Sequence, residues 1–169
     1  MTARLNLDPN RDRNVYGAML NLGATVRRSG LEHSLIELIK TRVSQINGCG
    51  YCIDMHTKDA RAAGETEQRL YMLSAWRETS IYTERERAAL AWAEAVTRLE
   101  GQHVPDAVFQ SAARHFSEAE LVTLTLCIVE INGWNRFAIA FQFPAGDYQP
   151  GSIKRSGTDT GAGREASHA

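Results

Sequence analysis

The chain has 169 residues, of which 43% are hydrophobic and 23% are charged, a balance that suits one compact domain with its own core. Its 19 lysines and arginines against 20 aspartates and glutamates leave a net charge of −1. That balance argues against a nucleic acid partner, because binding phosphates needs a concentrated basic face. The sequence has no apolar run of about 18 residues and no apolar signal-peptide core at its beginning, so we expect a cytoplasmic protein with no membrane partner.

Hydrophobic residues recur with a helical period along nearly the whole chain, which predicts an all-α fold. Two sequences, Thr83-x-x-Glu86 and Ser117-x-x-Glu120, match the capping box, in which side chains bond the free N–H groups at the start of a helix. The predicted helices cover residues 13–28, 33–46, 49–63, 67–76, 83–100, a short segment from Pro105, 119–131 and 134–143.

The composition changes after Pro144, and we expect one helical domain over residues 1–148 and a tail over residues 149–169. Residues 151–169 are mainly Gly, Ser, Thr and charged residues, with Ile153 as the one large aliphatic side chain. Such a segment cannot bury enough apolar surface to fold alone. The tail is therefore predicted to be flexible or to lie on a partner subunit.

A short sequence, Ile46-Asn47-Gly48, recurs 85 residues later as Ile131-Asn132-Gly133. Apolar residues precede both copies at matching positions, and a helix break is expected at each glycine. The recurrence fits either two unrelated amphipathic helices or an internal repeat of a helical hairpin around a pseudo-twofold axis. Cysteines stand in the first copy alone, so the chemistry is expected in the first half of the chain.

Two of the three cysteines lie in Cys49-Gly50-Tyr51-Cys52, and His56 follows one helical turn later. In a cytoplasmic protein such a pair indicates redox or metal chemistry rather than a disulfide scaffold. The break at Gly48 places the cysteines in the first turn of a helix, where free N–H groups and the helix dipole favour a thiolate. Glu37, on the preceding helix, can fold back over the pair, orient His56 and accept a proton.

Two alternatives use the same side chains. Cys49, Cys52, His56 and Glu37 are a legitimate tetrahedral zinc set, although structural zinc usually stabilises small domains that lack a core. The cysteines are also suited to a non-catalytic redox sensor, whose disulfide would alter assembly or docking of the tail. For the redox interpretation we expect neither a bound cofactor nor a metal.

The arrangement E-x11-C-x2-C-x3-H, on an all-helical chain with an echoed second half, resembles the alkylhydroperoxidase AhpD-like proteins of the carboxymuconolactone decarboxylase superfamily. The likeness is densest over residues 35–64 and looser over 15–143. It implies a helical bundle in which Cys52 attacks a peroxide, Cys49 closes a disulfide, and His56 and Glu37 relay the proton. Position 51 departs from the pattern, because AhpD-type peroxidases often have histidine there.

The resemblance also implies partners: a small peroxide substrate, an external dithiol reductant of the dihydrolipoyl or thioredoxin type, and further copies of the chain in a trimer or hexamer. The decarboxylase activity is the less expected one, because that branch generally lacks the cysteine pair.

Several other residues are assigned from their neighbours in the sequence. Cys127 is predicted to be a small core residue, because aliphatic side chains surround it. Asp54 and Asp59 are interpreted as ordinary acids on a helix surface. Glu130, Trp134, Asn135 and Arg136 are candidates to face the site from the second half of the chain, and for Arg136 we rather expect a pairing with an acid in a helix interface.

Overall fold

The structure, a computed structural model, describes residues 2–99, 101 and 103–152. Within this part of the chain all regular elements are helical, as predicted, and none is long and apolar enough to cross a membrane. The predicted tail lies outside the described residues from position 153 onward. The elements are α1 (Arg13–Arg27), α2 (His33–Asn47), α3 (Gly50–Ala62), α4 (Glu67–Met72) with a 3₁₀ segment (Leu73–Glu78), α5 (Glu84–Thr97), α6 (Asp106–His115) and α7 (Glu118–Phe141).

Helix α2 is the centre of the bundle and packs against α3, α5 and α7. Its Leu38 and Ile39 side chains are fully buried, and each such burial contributes about 1.5–3 kcal/mol. Glu37 and Lys40 are buried on the same helix. Because α2 is covered around most of its circumference, its charged side chains have to be paired inside the protein.

Both predicted capping boxes are present. The Thr83 hydroxyl accepts a hydrogen bond from the Glu86 N–H at 3.2 Å, and the Glu86 carboxylate accepts one from the Thr83 N–H at 2.8 Å. Ser117 and Glu120 make the same pair of bonds at the start of α7. The single helix predicted over 67–76 is only partly α-helical. Its α-helical part, α4, ends at Met72, and the chain continues as the 3₁₀ segment.

The repeated Ile-Asn-Gly sequence ends a helix in its first copy alone. Gly48 has a φ of 71° in the left-handed region and terminates α2. Gly133 is helical, so the prediction of separate helices over 119–131 and 134–143 is wrong, and α7 runs through. The physical reason is packing: a Cβ on Gly133 would lie 2.8 Å from Met19 Cε, so this glycine allows α1 to approach α7 closely.

The two copies nevertheless meet in space. The Asn47 amide donates to the Asn132 side-chain oxygen at 3.0 Å and to that of Asn135 at 2.8 Å. Asn135 is fully buried and also donates to the Ser44 hydroxyl at 3.1 Å. Equivalent positions of the repeat therefore contact each other across the α2–α7 interface.

A non-helical stretch over residues 143–148, which we call the closing segment, crosses the outer side of α3. Lys58 Nζ donates to the carbonyl oxygens of Gly146 and Tyr148 at 2.8 and 2.9 Å. The Gly146 N–H donates to the Asp54 carboxylate at 3.0 Å. The chain segment before α1 is tied nearby, since the Arg4 N–H donates to the Phe141 carbonyl at 2.8 Å.

Candidate redox site

The two cysteines of the motif are joined to each other by a disulfide at the start of α3. Cys49 is the N-cap residue, and its sulfur accepts a hydrogen bond from the Cys52 N–H at 3.3 Å. The left-handed Gly48 turns the chain so that Cys49 follows α2 directly. The sequence prediction that this break would place both cysteines in the first helical turn is thus confirmed.

His56 and Glu37 form a buried pair beside the cysteines. His56 Nδ1 lies 2.8 Å from Glu37 Oε2, and both side chains are about 95% buried or more. Burial raises the pKa of Glu37, but the hydrogen bond and charge of His56, with the charges of Lys40 and His33, lower it to about 2. An ionised carboxylate only accepts hydrogen bonds, so Nδ1 of His56 is the donor to Glu37, and Nε2 is the ring nitrogen that is left to exchange a proton with another group.

A pocket of about 320 Å³ opens onto this pair. Cys52 and His56 are in its wall together with aromatic and aliphatic side chains, whereas Cys49 is not part of the wall, although the two cysteines are equally buried at 1% exposure. A molecule in the pocket would therefore meet Cys52 first. The apolar and aromatic part of the wall consists of Leu7, Tyr16, Leu20, Tyr51, Met55, Trp134, Ala138, Phe143 and Pro144.

Two charged residues complete the inner wall, and the sequence analysis missed one of them. Lys40 Nζ lies 2.7 Å from Glu130 Oε2, and both side chains are at least 94% buried. Of the four candidates from the second half of the chain, Glu130 and Trp134 line the pocket, whereas Asn135 is buried between α2 and α7 and Arg136 is exposed. Lys40 was overlooked, although its place four residues after Ile36, within an apolar helix stripe, was a visible signal.

Tyr51 occupies the position where AhpD-type peroxidases often have histidine. Its ring packs edge-on against Phe143 with centroids 5.6 Å apart, and it lines the pocket. Burial, with the charges of Tyr16 and Asp54, raises the pKa of Tyr51 above its ordinary value of 10.0. The phenol is therefore neutral and serves as a hydrogen-bond donor rather than as a base.

The disulfide removes both sulfurs from the zinc set considered from the sequence. The two sulfurs are bonded to each other, which leaves neither as a thiolate ligand in this state. Instead, donor atoms of Glu37, His56 and Asp59 lie within 4.8 Å of one another. The interpretation of Asp59 as a surface acid is wrong, since it is 8% exposed and accepts a hydrogen bond from the Tyr148 hydroxyl at 2.8 Å.

The third cysteine takes no part in the site wall. Cys127 is fully buried in α7, and burial raises the pKa of its thiol to about 12. The prediction that Cys127 is a core residue is confirmed.

Comparison with known proteins identifies the family. A model of the carboxymuconolactone decarboxylase family matches residues 14–95. The uncharacterised protein YdfG of Bacillus subtilis is 46% identical over 122 residues, which are 72% of this chain and 83% of YdfG. This chain belongs to the carboxymuconolactone decarboxylase family.

Solved structures place this family member with the AhpD-like proteins. A protein of unknown function from Agrobacterium tumefaciens, proposed to be the antioxidant defence protein AhpD, superposes with a TM-score of 0.82 at 42% identity, covering 86% of this chain and 99% of that one. The debrominase Bmp8 superposes with a TM-score of 0.74 at 22% identity, covering 82% and 74%, which shows a shared fold. The predicted AhpD-like helical fold is confirmed.

Proposed function

We propose that this protein is a thiol peroxidase that reduces organic hydroperoxides with the Cys49–Cys52 pair. One observation carries the proposal: Cys52 borders a 320 Å³ pocket beside the buried His56–Glu37 pair, while its disulfide partner Cys49 lies behind it. The aromatic and aliphatic wall favours a peroxide with an organic group over hydrogen peroxide.

In the first step, His56 Nε2 takes the proton of the reduced Cys52 thiol, and Glu37 stabilises the resulting imidazolium through Nδ1. The Cys52 thiolate then attacks the terminal oxygen of R–O–O–H. An S–O bond forms, the O–O bond breaks, and the products are Cys52 sulfenic acid and the alkoxide of R, which takes up a proton to leave as an alcohol.

In the second step, the Cys49 thiol condenses with the sulfenic acid, which forms the disulfide and releases water. The two sulfurs are one helical turn apart, with a Cα–Cα distance of 5.4 Å, so closure needs no rearrangement of α3. An external dithiol then reduces the disulfide and is itself oxidised. We propose a dihydrolipoyl-type or thioredoxin-type donor, and hence the reducing cytoplasm as the place of action.

We also propose a homo-oligomer, a trimer or hexamer as the resemblance implies. Val122 and Val129 are 71% and 52% exposed and lie two turns apart on α7. Phe109 of the neighbouring α6 is 50% exposed. Exposed apolar side chains on adjacent helices are typical of subunit contacts.

A thiol count tests the redox proposal. The fully reduced protein is mixed with one equivalent of cumene hydroperoxide, and free thiols and disulfide-linked peptides are then identified. We expect the three thiols to fall to one, with Cys49 and Cys52 bridged. Cys49→Ser should accumulate sulfenic acid at position 52, and Cys52→Ser should form none.

Cys127→Ser is the matched control, because it removes a buried thiol outside the pocket and should still bridge the other two. Sulfenic acid in Cys52→Ser but not in Cys49→Ser would reverse the two roles. A wild-type protein that keeps all its thiols would overturn the proposed function.

Glu37, His56 and Asp59 favour one second candidate, a site for a divalent cation such as zinc, because their donor atoms are buried and within 4.8 Å of one another. Zinc titration of the wild type and of Asp59→Asn distinguishes the candidates. The metal site would be favoured if the wild type bound stoichiometric zinc, the variant bound none, and the thiols did not react with peroxide.

A further inference from the structure

The proposed reaction makes no use of the ion pair between Lys40 and Glu130 in the pocket wall. Each of these side chains is at least 94% buried, and their charged atoms are 2.7 Å apart. A buried ion pair generally gives up more hydration than its attraction returns, so it is weak evidence of a role in stability. The pair lies in the same pocket wall as Cys52 and His56, and this position indicates a role in the proposed reaction.

The surrounding backbone leaves room for this pair. A Cβ on Gly23 of α1 would lie 2.7 Å from Glu130 Oε1, so a side chain there would collide with the carboxylate. Lys40 lies one turn after Glu37 on α2, and its charge acts on the Glu37 carboxylate. The ammonium is therefore paired with the Glu130 carboxylate from α7 and also feels the charge of the Glu37 carboxylate on its own helix, in the wall of the pocket.

Reduction of a hydroperoxide creates negative charge away from the sulfur. As the O–O bond breaks, the alkoxide oxygen becomes about as basic as hydroxide, and it needs a cation or a proton donor close by. The proton that His56 has taken from Cys52 is on the imidazole ring, next to the sulfur and not at the leaving oxygen. Lys40 carries three N–H donors, of which Glu130 needs one, and unlike a guanidinium it can release a proton.

We propose that Lys40 is a catalytic residue that stabilises and protonates the alkoxide leaving group; this rests on the proposed peroxidase function. The Cys52 thiolate and R–O–O–H give Cys52 sulfenic acid and an alkoxide, and Lys40 Nζ transfers a proton to that oxygen. The neutral amine then regains a proton from the His56 imidazolium through the pocket. The sum is one thiol and one hydroperoxide converted to one sulfenic acid and one alcohol.

The Lys40 side chain is a protonated ammonium before the reaction begins. Burial alone would lower the pKa of its ammonium, but Glu130, Cys127 and Glu37 together raise that pKa above its ordinary value of 10.5. The group is therefore protonated throughout the neutral range, and it remains far more acidic than an aliphatic alcohol.

The test compares two oxidants that differ in their leaving group. tert-Butyl hydroperoxide releases a strongly basic alkoxide, whereas peracetic acid releases acetate, which needs no proton near pH 7. Single-turnover oxidation of the reduced protein is followed by mass spectrometry of quenched samples. Lys40→Met should slow the reaction with tert-butyl hydroperoxide by about 10²–10³-fold and that with peracetic acid by less than about tenfold.

Two further variants separate chemistry from folding. Lys40→Met with Glu130→Gln removes the unpaired buried carboxylate and should keep the same difference between the oxidants. Arg42→Met removes a buried cation that pairs with Glu94, 2.6 Å away and outside the pocket wall, and should leave the ratio of the two rates unchanged.

Equal slowing with both oxidants would assign Lys40 a merely structural role and overturn the inference. A changed ratio in Arg27→Met but not in Lys40→Met would also overturn it, because Arg27 is another cation of the pocket wall. A wild type that reacts with neither oxidant would instead disprove the peroxidase function itself.

Discussion

The Glu37 carboxylate is ionised although it is almost fully buried, because His56 donates to one oxygen and His33 Nε2 lies 3.7 Å from the other. Its pKa is about 2, against an ordinary value of 4.5. A folded-state pKa below the unfolded one contributes stability above the unfolded pKa, and this contribution is lost as the pH falls toward 2.

We therefore expect Glu37→Gln to lower the free energy of unfolding at pH 7 by about 2–3 kcal/mol. The difference from the wild type should shrink between pH 5 and pH 2, where the Glu37 carboxylate of the unfolded chain takes up a proton while the native one is still largely ionised. Urea unfolding of both proteins at several pH values measures this difference. Glu118→Gln, a change at an exposed acid in the first turn of α7, serves as the control and should show no such trend.

At this scale the sequence predicted the four residues of the motif but not their charged surroundings. Spacing along one helix is enough to place Cys52 and His56 on the same face. The contacts of Lys40 with Glu130, and of Asp59 with Tyr148, join residues 90 and 89 positions apart. Such pairs follow from the packing of helices, which no local pattern specifies.

The same three residues, Ile-Asn-Gly, end one helix and continue another, so local sequence alone does not decide where a helix stops. Gly48 adopts a left-handed φ that other residues reach only at a cost of roughly 1–2 kcal/mol. Gly133 is helical, and the atom it would meet is the mobile end of the Met19 side chain. The different environments predict different effects on stability for the same change of glycine to alanine.

Gly48→Ala should lower the free energy of unfolding by about 1 kcal/mol or more. Gly133→Ala should change it by less than about 1 kcal/mol, because the gain in helix propensity offsets the displacement of Met19. Thermal or urea unfolding of the two variants, at equal concentration, gives both values. A strongly destabilised Gly133→Ala protein would show instead that α1 cannot shift away from α7.

The helix starts were better predicted than the helix ends. Thr83 and Ser117 each cap a helix through their own side chains, and such bonds need only neighbouring residues. The end of α4 and the continuity of α7 depend on what packs against them, which is why the sequence predicted these two features incorrectly.

Over the whole molecule, the pocket is closed by pieces of chain that are not part of the helical bundle. The closing segment is held to α3 mainly through Lys58, Asp54 and Tyr148. Few buried contacts and several exposed hydrogen bonds are the marks of a segment that opens locally without global unfolding.

Lys58→Met removes the bonds to the carbonyls of Gly146 and Tyr148, and we expect the Gly146 amide to exchange its hydrogen roughly fivefold faster or more. Amide exchange followed by NMR measures this rate, and core amides of α2 should be unaffected. Thr123→Ala is the control, because it removes an exposed hydrogen bond from the Thr123 hydroxyl to the Ala119 carbonyl within α7. An unchanged rate at Gly146 would mean that the Asp54 and Tyr148 contacts hold the segment without Lys58.

Asn6 and Leu7 on one side of the pocket, and Phe143 and Pro144 on the other, come from the stretches before α1 and after α7. The reacting groups, by contrast, belong to the buried central helices. Substitutions in these terminal stretches can thus change which molecules the pocket admits without altering the helices that hold Cys52 and His56. The lining of the pocket can therefore change at little risk to the ability of the chain to fold.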